Sequence, residues 1–154
     1  MEIRPLDDDK PAVCERILRS LPGWFGIEAS ILQYARDVAT MPVLAACTGP
    51  EVVGFVALHR RTPATTEIHV MGVLPAHHRR GLGRRLLDAA ARHARDSGCR
   101  LLSVKTLAAS RPCAEYDRTR AFYLAQGFLP VEEFPTLWGE ANPCLLLVRP
   151  LRAC

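Results

Sequence analysis

The chain has 154 residues, of which 49% are hydrophobic and 23% are charged, and its formal net charge is +4 at pH 7. This length fits one domain with one core, and the composition is ordinary for a globular protein. No apolar run approaches the ~20 residues that a membrane helix needs, and the first nine residues are acidic and lack a signal-peptide core. We therefore expect a single domain over residues 1–154, no membrane partner and a cytoplasmic location.

The six cysteines do not form a Cys-x-x-Cys pair. Zinc sites use ligands at such short spacings, and the adjacent His77 and His78 point in different directions, so no metal site is expected. Cys47, Cys99 and Cys144 lie in or beside apolar runs, where a free cysteine behaves as a small hydrophobic residue. We expect these three thiols to be reduced and to pack in the core.

The first third of the chain predicts a strand followed by two helices. Residues 2–6 have the character of a short strand, and the three aspartates at positions 7–9 can cap a helix whose first turn includes Pro11. Apolar residues at helical spacing extend this helix to the break at Pro22 and Gly23, and a second helix is expected over residues 28–38.

The remaining chain alternates strands with two further helices. Gly49 and Pro50 mark the turn of a hairpin. The elements expected in chain order are strands 43–48 and 52–59, a polar connection 60–65, a strand 66–73, a helix 82–95, a strand 101–107, a loop 108–117, a helix 119–126, and strands 128–134 and 144–148. This mixed order predicts an α+β fold, a sheet with helices on both faces.

The most informative segment is a basic turn, residues 78–85, between a predicted strand and a predicted helix. The first turn of a helix has N–H groups without intrahelical partners, and the helix dipole favours negative charge there. Gly81 and Gly83 carry no Cβ, so a phosphate can approach the backbone closely. Long cationic side chains that can fork onto phosphate oxygens flank them, namely Arg79, Arg80, Arg84 and Arg85.

Three kinds of nucleotide site can use such a turn, besides the simpler interpretation of an ordinary basic helix start. A P-loop needs a Lys-Ser/Thr pair where Arg84 and Arg85 stand, and a dinucleotide fingerprint needs a third glycine where Leu86 stands. The third kind is a coenzyme A loop. Residues 73–87 resemble the signature of the GNAT superfamily of acetyl-CoA-dependent N-acetyltransferases, Gln/Arg-x-x-Gly-x-Gly/Ala after a strand that ends in Val-x-Pro. His78 stands where the family usually has Gln or Arg.

A second segment, residues 116–128, resembles the GNAT stretch in which a helix ends as Tyr-x-x-x-Gly-Phe and turns into a strand. Gly127 supplies the helix stop. In the family, the tyrosine at the position of Tyr123 lies near the cofactor sulfur and is often the general acid, so the resemblance implies that role here. By spacing alone, a half-buried helix aromatic is the simpler explanation of Tyr123. Residues 67–73 and 134–139 also resemble a bacterial subgroup of the superfamily.

The resemblance implies a single-domain GNAT fold, with a mostly antiparallel sheet of about six to seven strands. It also implies that acetyl-CoA is the co-substrate and that the strand before the basic turn binds its pantetheine arm through the backbone. The pantetheine contacts implied are Met71, Gly72 and Val73, and the pyrophosphate contacts implied are Arg79, Arg80, Gly81, Leu82, Gly83 and Arg84.

An attacking amine must lose a proton, and Glu67 on the predicted strand 66–73 is the first candidate for the base, either directly or through a water molecule. Family position favours Glu67, whereas His69 has the more convenient reference pKa of about 6.5. In a regular strand Glu67, His69 and Met71 share one face. Alternatively, both are polar residues on a solvated face. Other carboxylates that remain open as candidates are Glu115, Asp117, Glu132 and Glu133.

The function that this resemblance implies is transfer of an acetyl group to a primary amine of a small molecule or peptide, by direct transfer in a ternary complex. The alternatives are an acyl-CoA-binding module without catalysis and a nucleic-acid binder. For a nucleic-acid binder, the chain lacks aromatic residues among its arginines and lacks a basic recognition helix, so no nucleic-acid partner is expected. Dimers are common in the superfamily, so a homodimer is possible. Loop aromatics that can select an apolar amine are Trp24, Phe25 and Trp138.

Overall fold

The structure is a computed structural model that describes residues 1–152. Its helices are α1 (Lys10–Arg19), α2 (Glu28–Val38), α3 (Leu82–Asp96) and α4 (Ala114–Ala125), with a short 3-10 helix at Pro75–His77. Its strands are β1 (Glu2–Pro5), β2 (Val43–Thr48), β3 (Glu51–Thr62), β4 (Thr65–Val73), β5 (Leu101–Leu107), β6 (Leu129–Phe134) and β7 (Cys144–Pro150).

The strands form a seven-stranded sheet in the order β1-β2-β3-β4-β5-β7-β6. Strand β2 pairs antiparallel with both β1 and β3, and β7 pairs antiparallel with both β5 and β6. The predicted α+β fold with a mostly antiparallel sheet is therefore confirmed. Within the described residues no helix is both long and apolar enough to cross a lipid bilayer.

The chain forms two compact units. The first comprises Met1–His59 and Ile68–His93, and the second comprises Arg60–Glu67 and the described residues from 94 onward. The single domain expected from the length stays a prediction. The predicted core thiols Cys47, Cys99 and Cys144 are free and buried, whereas Cys154 lies outside the described residues.

In the first unit, α1 and α2 bury one apolar face each in a shared core. Cys14, Ile17 and Leu18 of α1 lie in the same cluster as Ile31 and Val38 of α2. These positions recur every three or four residues along each helix, so they share a helix face. The helical spacing predicted for this part of the chain is confirmed.

The start of α1 differs from the prediction of a side-chain cap. Asp9 precedes the helix, but its backbone is left-handed (φ 58°) and its carboxylate makes no capping hydrogen bond. A side-chain cap needs an extended backbone at this position. The Asp9 carbonyl instead accepts a hydrogen bond of 2.9 Å from the Val13 N–H. The backbone alone therefore forms the first turn.

Two buried glycines show that helices lie on both faces of the sheet in the first unit. A Cβ on Gly54 of β3 would stand 3.4 Å from Leu86 of α3 and 3.2 Å from the side chain of Val73. A Cβ on Gly72, the β4 residue just before Val73, would instead stand 3.1 Å from both Ile17 and Leu21, on the α1 side. Adjacent residues of a strand point to opposite faces, so α1 and α3 cover opposite faces.

In the second unit, the tip of the β3–β4 hairpin lies against the start of β5. The Ala64 carbonyl accepts hydrogen bonds from the N–H groups of Arg100 (2.8 Å) and Leu101 (3.0 Å). Strand β3 reaches Thr62, so the predicted polar connection at 60–65 was wrong and is mostly strand. Its exposed polar side chains suit a hairpin arm as well as a loop, and the sequence pattern does not distinguish the two.

Helix α4 begins at Ala114, although the sequence predicted a loop through residue 117. Cys113 precedes the helix with an extended backbone, and its carbonyl accepts a hydrogen bond of 2.9 Å from the Asp117 N–H. No side chain caps this end. Without a Ser, Thr or Asn cap the helix start had no sequence signal, although the acidic first turn, with Glu115 and Asp117, favours the helix dipole.

Strand β6 is the last strand in the order and is exposed along most of its length. Leu129 and Val131 are 60% and 58% exposed. The register with β7 shifts between Pro130 and Glu132. This outer strand therefore combines apolar side chains with an irregular backbone.

We expect Gly54→Ala to destabilise the protein by roughly 1–3 kcal/mol, the usual cost of overpacking a core. The added methyl would stand 3.3 Å from the carbonyl oxygen of Gly72, a backbone atom that cannot move aside on its own. Urea unfolding measures the effect. The matched control is Gly26→Ala, whose methyl would meet only the Pro22 carbonyl oxygen at an ordinary 3.4 Å. Equal stability of the two variants would contradict the tight packing of Gly54.

Candidate active site

The basic turn contains two residues in the left-handed region. After the 3-10 helix, His78 is extended (φ −65°, ψ 154°), Arg79 has φ 61° and Gly81 has φ 76°. A non-glycine residue in this region costs of order 1 kcal/mol and persists only where its surroundings require it. Left-handed residues within such a turn direct successive N–H groups to one side and form a concave anion site, called a nest. The turn has the backbone geometry of a nest.

The N-terminus of α3 extends this nest. The first helical hydrogen bond runs from the Arg85 N–H to the Gly81 carbonyl (3.1 Å). The preceding N–H groups, those of Leu82, Gly83 and Arg84, have no acceptor within the helix. The Leu82 side chain is buried, so Leu82 offers a ligand only its backbone. A Cβ on Gly81 would meet no atom within 4 Å, so the space beside the Gly81 Cα is open.

The arginine side chains of the turn are exposed around this open space. Arg79, Arg80 and Arg84 have exposed side chains, and Arg85 donates a long hydrogen bond of 3.3 Å to the Met1 carbonyl. The turn therefore offers backbone donors at its centre and exposed cationic groups at its rim, an arrangement that suits a group with several negative oxygens.

His78 closes the turn back onto β4. Its Nε2 lies 2.6 Å from the Val73 carbonyl oxygen, and its ring centroid lies 5.9 Å from that of Trp24, with the two ring planes nearly perpendicular. Because Leu74 donates to Val53 on β3 (2.8 Å), strand alternation directs the backbone groups of Val73 away from β3. The N–H of Val73 thus points to the same side as the Val73 carbonyl, which His78 contacts.

Strand β4 departs from regular alternation upstream of Val73. His69 contacts Tyr34 and Asp37 of α2, and the Cα of Gly72 faces α1. Residues 69 and 72 would point to opposite faces of a regular strand, yet both meet the layer that α1 and α2 form. The expectation that Glu67, His69 and Met71 share one face therefore does not extend to Met71. Close packing of α1 explains the glycine at position 72.

Glu67 is a buried carboxylate held by two cations. Arg61 donates to Oε1 (2.7 Å) and Lys105 donates to Oε2 (2.7 Å), and the Glu67 side chain is only 7% exposed. Burial raises the pKa of Glu67, but the hydrogen bonds from Lys105 and Arg61 outweigh burial and bring the pKa below its ordinary value. Both oxygens are occupied, and the low pKa makes the carboxylate a weak proton acceptor.

His69 pairs with a residue that the sequence analysis did not identify, Asp37. His69 Nε2 lies 2.9 Å from Asp37 Oδ2, and both side chains are partly buried. Gln33 donates to the other oxygen, Oδ1 (2.7 Å). Burial raises the pKa of Asp37, but the hydrogen bonds from Gln33 and His69 bring it below its ordinary value. The partners lie 32 positions apart in the sequence, so local sequence patterns do not reveal this pair.

Tyr123 lies near the end of α4 and is almost completely buried in the second unit. Its ring packs against Phe128 (5.3 Å between centroids) and Phe122 (5.5 Å). Burial raises the pKa of Tyr123 well above its ordinary value, and Tyr116 adds to the effect. The phenol therefore stays protonated near neutral pH. Among residues 1–152, no group of His, Cys, Asp and Glu side chains has the arrangement of a metal site.

We expect Glu67→Gln to lower the free energy of unfolding by roughly 1–3 kcal/mol near pH 7, since the neutral amide no longer pairs with the charges of Lys105 and Arg61. The folded-state pKa lies below the unfolded value of about 4.3, so the carboxylate stabilises fully above that value and loses its effect as the pH falls through the folded-state pKa. Urea unfolding at a series of pH values should show the difference from wild type shrinking in acid. The exposed Glu132→Gln is the control, and a difference independent of pH would contradict the ion pairs.

The comparisons with known proteins agree with this arrangement. The family model described as Acetyltransferase (GNAT) family matches residues 11–128. A GNAT-family protein from Desulfovibrio desulfuricans has a TM-score of 0.84 at 18% identity, covering 98% of this chain and 99% of that chain. An aminoglycoside 6'-N-acetyltransferase complexed with coenzyme A has a TM-score of 0.79 at 17% identity, covering 100% and 99%.

The ribosomal-protein-S18-alanine N-acetyltransferase from Escherichia coli is also similar, with a TM-score of 0.76 at 16% identity, covering 99% of this chain and 95% of that chain. No curated protein matches in sequence. At these identities the structures agree in fold alone. The family match, in contrast, extends over both the basic turn and Tyr123. The chain belongs to the GNAT acetyltransferase family.

Proposed function

We propose that the protein transfers the acetyl group of acetyl-CoA to a primary amine of a small molecule or a peptide, by direct transfer in a ternary complex. The observation that carries the proposal is the open nest at Arg79 to Gly81, which continues into the free N–H groups of α3. Acetyl-CoA is the co-substrate of this family, and its pyrophosphate has the charge and the oxygens that such a nest binds.

In this proposal, the backbone of the turn supplies the main pyrophosphate contacts. The N–H groups of Gly81, Leu82, Gly83 and Arg84 donate to the phosphate oxygens. The guanidinium groups of Arg79, Arg80 and Arg84 add charge at the rim. The Leu82 side chain is buried and cannot contact the phosphates, whereas the arginine side chains are exposed and can.

The pantetheine arm would run along the end of β4. The N–H of Val73 points away from β3 and is the best supported of the predicted contacts. Met71 is half-buried and stays a predicted contact. Gly72 also stays a prediction, because the packing of α1 already accounts for its lack of a side chain.

The reaction needs two proton movements from an amine that is an ammonium ion in water. The nitrogen loses one proton, attacks the thioester carbon and forms the C–N bond, and the C–S bond then breaks. The nitrogen loses its second proton, and the coenzyme A thiolate gains one. In our proposal the Tyr123 phenol donates to the sulfur as the thiolate leaves. Glu67 stays a prediction as base, although its two ion pairs suit a structural role better.

Thiol release from acetyl-CoA tests the proposed function. The acceptors are an aminoglycoside, a polyamine, an arylalkylamine and a peptide with a free N-terminal alanine, because GNAT proteins of this fold are named for acceptors as different as aminoglycosides and a ribosomal protein. We expect at least one amine to raise thiol release and to gain an acetyl group by mass spectrometry. Binding of coenzyme A without acetylation of any amine would favour the alternative, a non-catalytic acyl-CoA-binding module.

We expect Gly81→Ala to weaken coenzyme A binding about tenfold, equivalent to one or two lost hydrogen bonds. Alanine disfavours φ 76°, so the turn relaxes and its N–H groups lose their common direction. Isothermal titration calorimetry measures the affinity. The matched control is Gly98→Ala, which has φ 85° and equally open surroundings at the other end of α3. Both variants should lose similar stability, and equal affinities would contradict the proposed pyrophosphate site.

We expect Tyr123→Phe to lower kcat roughly 10- to 100-fold without changing the affinity for acetyl-CoA. In this proposal the Tyr123 hydroxyl gives its proton to the leaving sulfur, and phenylalanine removes that hydroxyl while it keeps the ring packed against Phe122 and Phe128. Steady-state kinetics and calorimetry measure the two effects separately. Phe122→Leu, a change in the neighbouring ring, controls for altered packing. An unchanged kcat would remove Tyr123 from the mechanism.

A further inference from the structure

The partly buried pair of His69 and Asp37 has the features of a proton acceptor with a fixed orientation. Asp37 Oδ2 lies 2.9 Å from His69 Nε2, which carries the proton of a neutral imidazole when it donates to a carboxylate. The other ring nitrogen, Nδ1, then has its lone pair free. A carboxylate on one nitrogen thus determines which nitrogen can accept a proton.

Asp37 is itself held in place by its own helix. Gln33 donates to Asp37 Oδ1 (2.7 Å), and Arg36 donates to Gln33 Oε1 (2.8 Å). These residues are three and four positions apart on α2, so they lie on one helix face and can form this chain of hydrogen bonds without strain. Both carboxylate oxygens are engaged, and Asp37 cannot rotate away from His69 without losing a partner.

The surroundings of His69 restrict the ring further. The Tyr34 ring of α2 meets it edge to face at 5.5 Å, and the His59 ring of β3 lies 6.4 Å away at a tilt of 39°. Cys14 of α1 also faces this region. Burial raises the pKa of the Cys14 thiol to about 12, and Asp37 and Glu15 add smaller effects. The thiol therefore stays neutral, and Asp37 is the anion that faces the imidazole.

The position of His69 along β4 also suits the proposed reaction. A strand rises about 3.3 Å per residue, so His69 lies roughly 7 Å along the strand from Met71, the first predicted pantetheine contact, whereas Glu67 lies roughly 13 Å from it. An amine bound beside Met71 would therefore lie closer to His69 than to Glu67. Glu67 is farther away, and its two oxygens are already bonded to Arg61 and Lys105.

We propose that His69 Nδ1 takes the first proton from the attacking amine and that Asp37 is the positioning residue that orients the imidazole. This inference rests on the proposed acetyl transfer and identifies its base. His69 becomes an imidazolium, which the Asp37 carboxylate stabilises, and it then passes the proton to solvent. The second amine proton replaces the one that Tyr123 gives to the thiolate, so the protons balance.

The kinetic test uses acetyl-CoA and an amine that the wild-type protein acetylates. We expect His69→Gln to lower kcat about 100-fold and to remove the acidic limb of the kcat/KM profile against pH, with the KM for acetyl-CoA changed less than about twofold. Asp37→Asn should lower kcat about tenfold and displace that limb, and Asp37→Glu should recover part of the loss. His59→Gln removes the neighbouring imidazole and should keep both the rate and the limb.

Nitrogen-15 spectra of labelled histidine give a second readout that does not depend on turnover. We expect neutral His69 to carry its proton on Nε2 in the wild-type protein and to lose this preference in Asp37→Asn. Thermal unfolding of each variant shows whether α2 still packs on β4. A His69 proton on Nδ1 in the folded wild-type protein would overturn the proposal, because that nitrogen would then have no lone pair to offer.

The outcomes separate this proposal from the proposed function. If the wild-type protein acetylates an amine and folded His69→Gln keeps its rate and acidic limb, the pair only fastens α2 to β4 and the base proposal fails alone. If Glu67→Gln rather than His69→Gln removes the limb, Glu67 is the base. If the wild-type protein acetylates no amine, the proposed function fails and the base proposal fails with it.

Discussion

The left-handed backbone at Arg79 and Gly81 is the constraint on which the candidate site depends. Without it, the chain would leave β4 and enter α3 through an ordinary loop, and the N–H groups before Arg85 would point in several directions. Glycine adopts this geometry at little cost, but Arg79 does so against its own preference. His78 provides part of the compensation, because its hydrogen bond to the Val73 carbonyl closes the turn from the other side.

The two titratable side chains of β4 differ because their neighbours differ in charge. Glu67 lies between two cations, which hold it as an anion and occupy both of its oxygens. His69 lies beside one carboxylate and uses one nitrogen for it. A carboxylate between cations is stable but accepts a proton poorly. An imidazole that forms a hydrogen bond to a carboxylate keeps its other nitrogen available. Two side chains only two positions apart on one strand thus have neighbours of opposite charge.

Much of the fold follows from local sequence patterns. Strands β2 and β5 and helix α2 have the bounds that their spacing predicted, since alternation, helical periodicity and turn residues act over a few positions. The start of α4 escaped prediction because Cys113 gives no capping signal. The role of Gly54 also escaped, because the atoms that crowd it belong to β4 and α3 and its own neighbours in sequence say nothing of them.

The candidate site likewise has one part that the sequence reveals and another that only the fold reveals. The basic turn is contiguous, so its glycines and arginines could be found together in the sequence. The partners of the β4 side chains are distant, since Lys105 lies 38 residues from Glu67 and Asp37 lies 32 residues from His69. Only the folded chain brings these charges together, and they decide which side chain can accept a proton. The sequence favoured Glu67 by family position, because it did not reveal the cations that surround this carboxylate.

The irregular backbone of β6 bears on how copies of the chain can associate. An outer strand with apolar side chains is a template on which another chain can add a strand and so begin an aggregate. Pro130 has no N–H to offer such a chain, and the register shift beside it bends the edge away from the flat geometry that strand addition needs. The charges of Glu132 and Glu133 repel a second copy aligned in register. These features disfavour the addition of a further strand at this edge of the sheet.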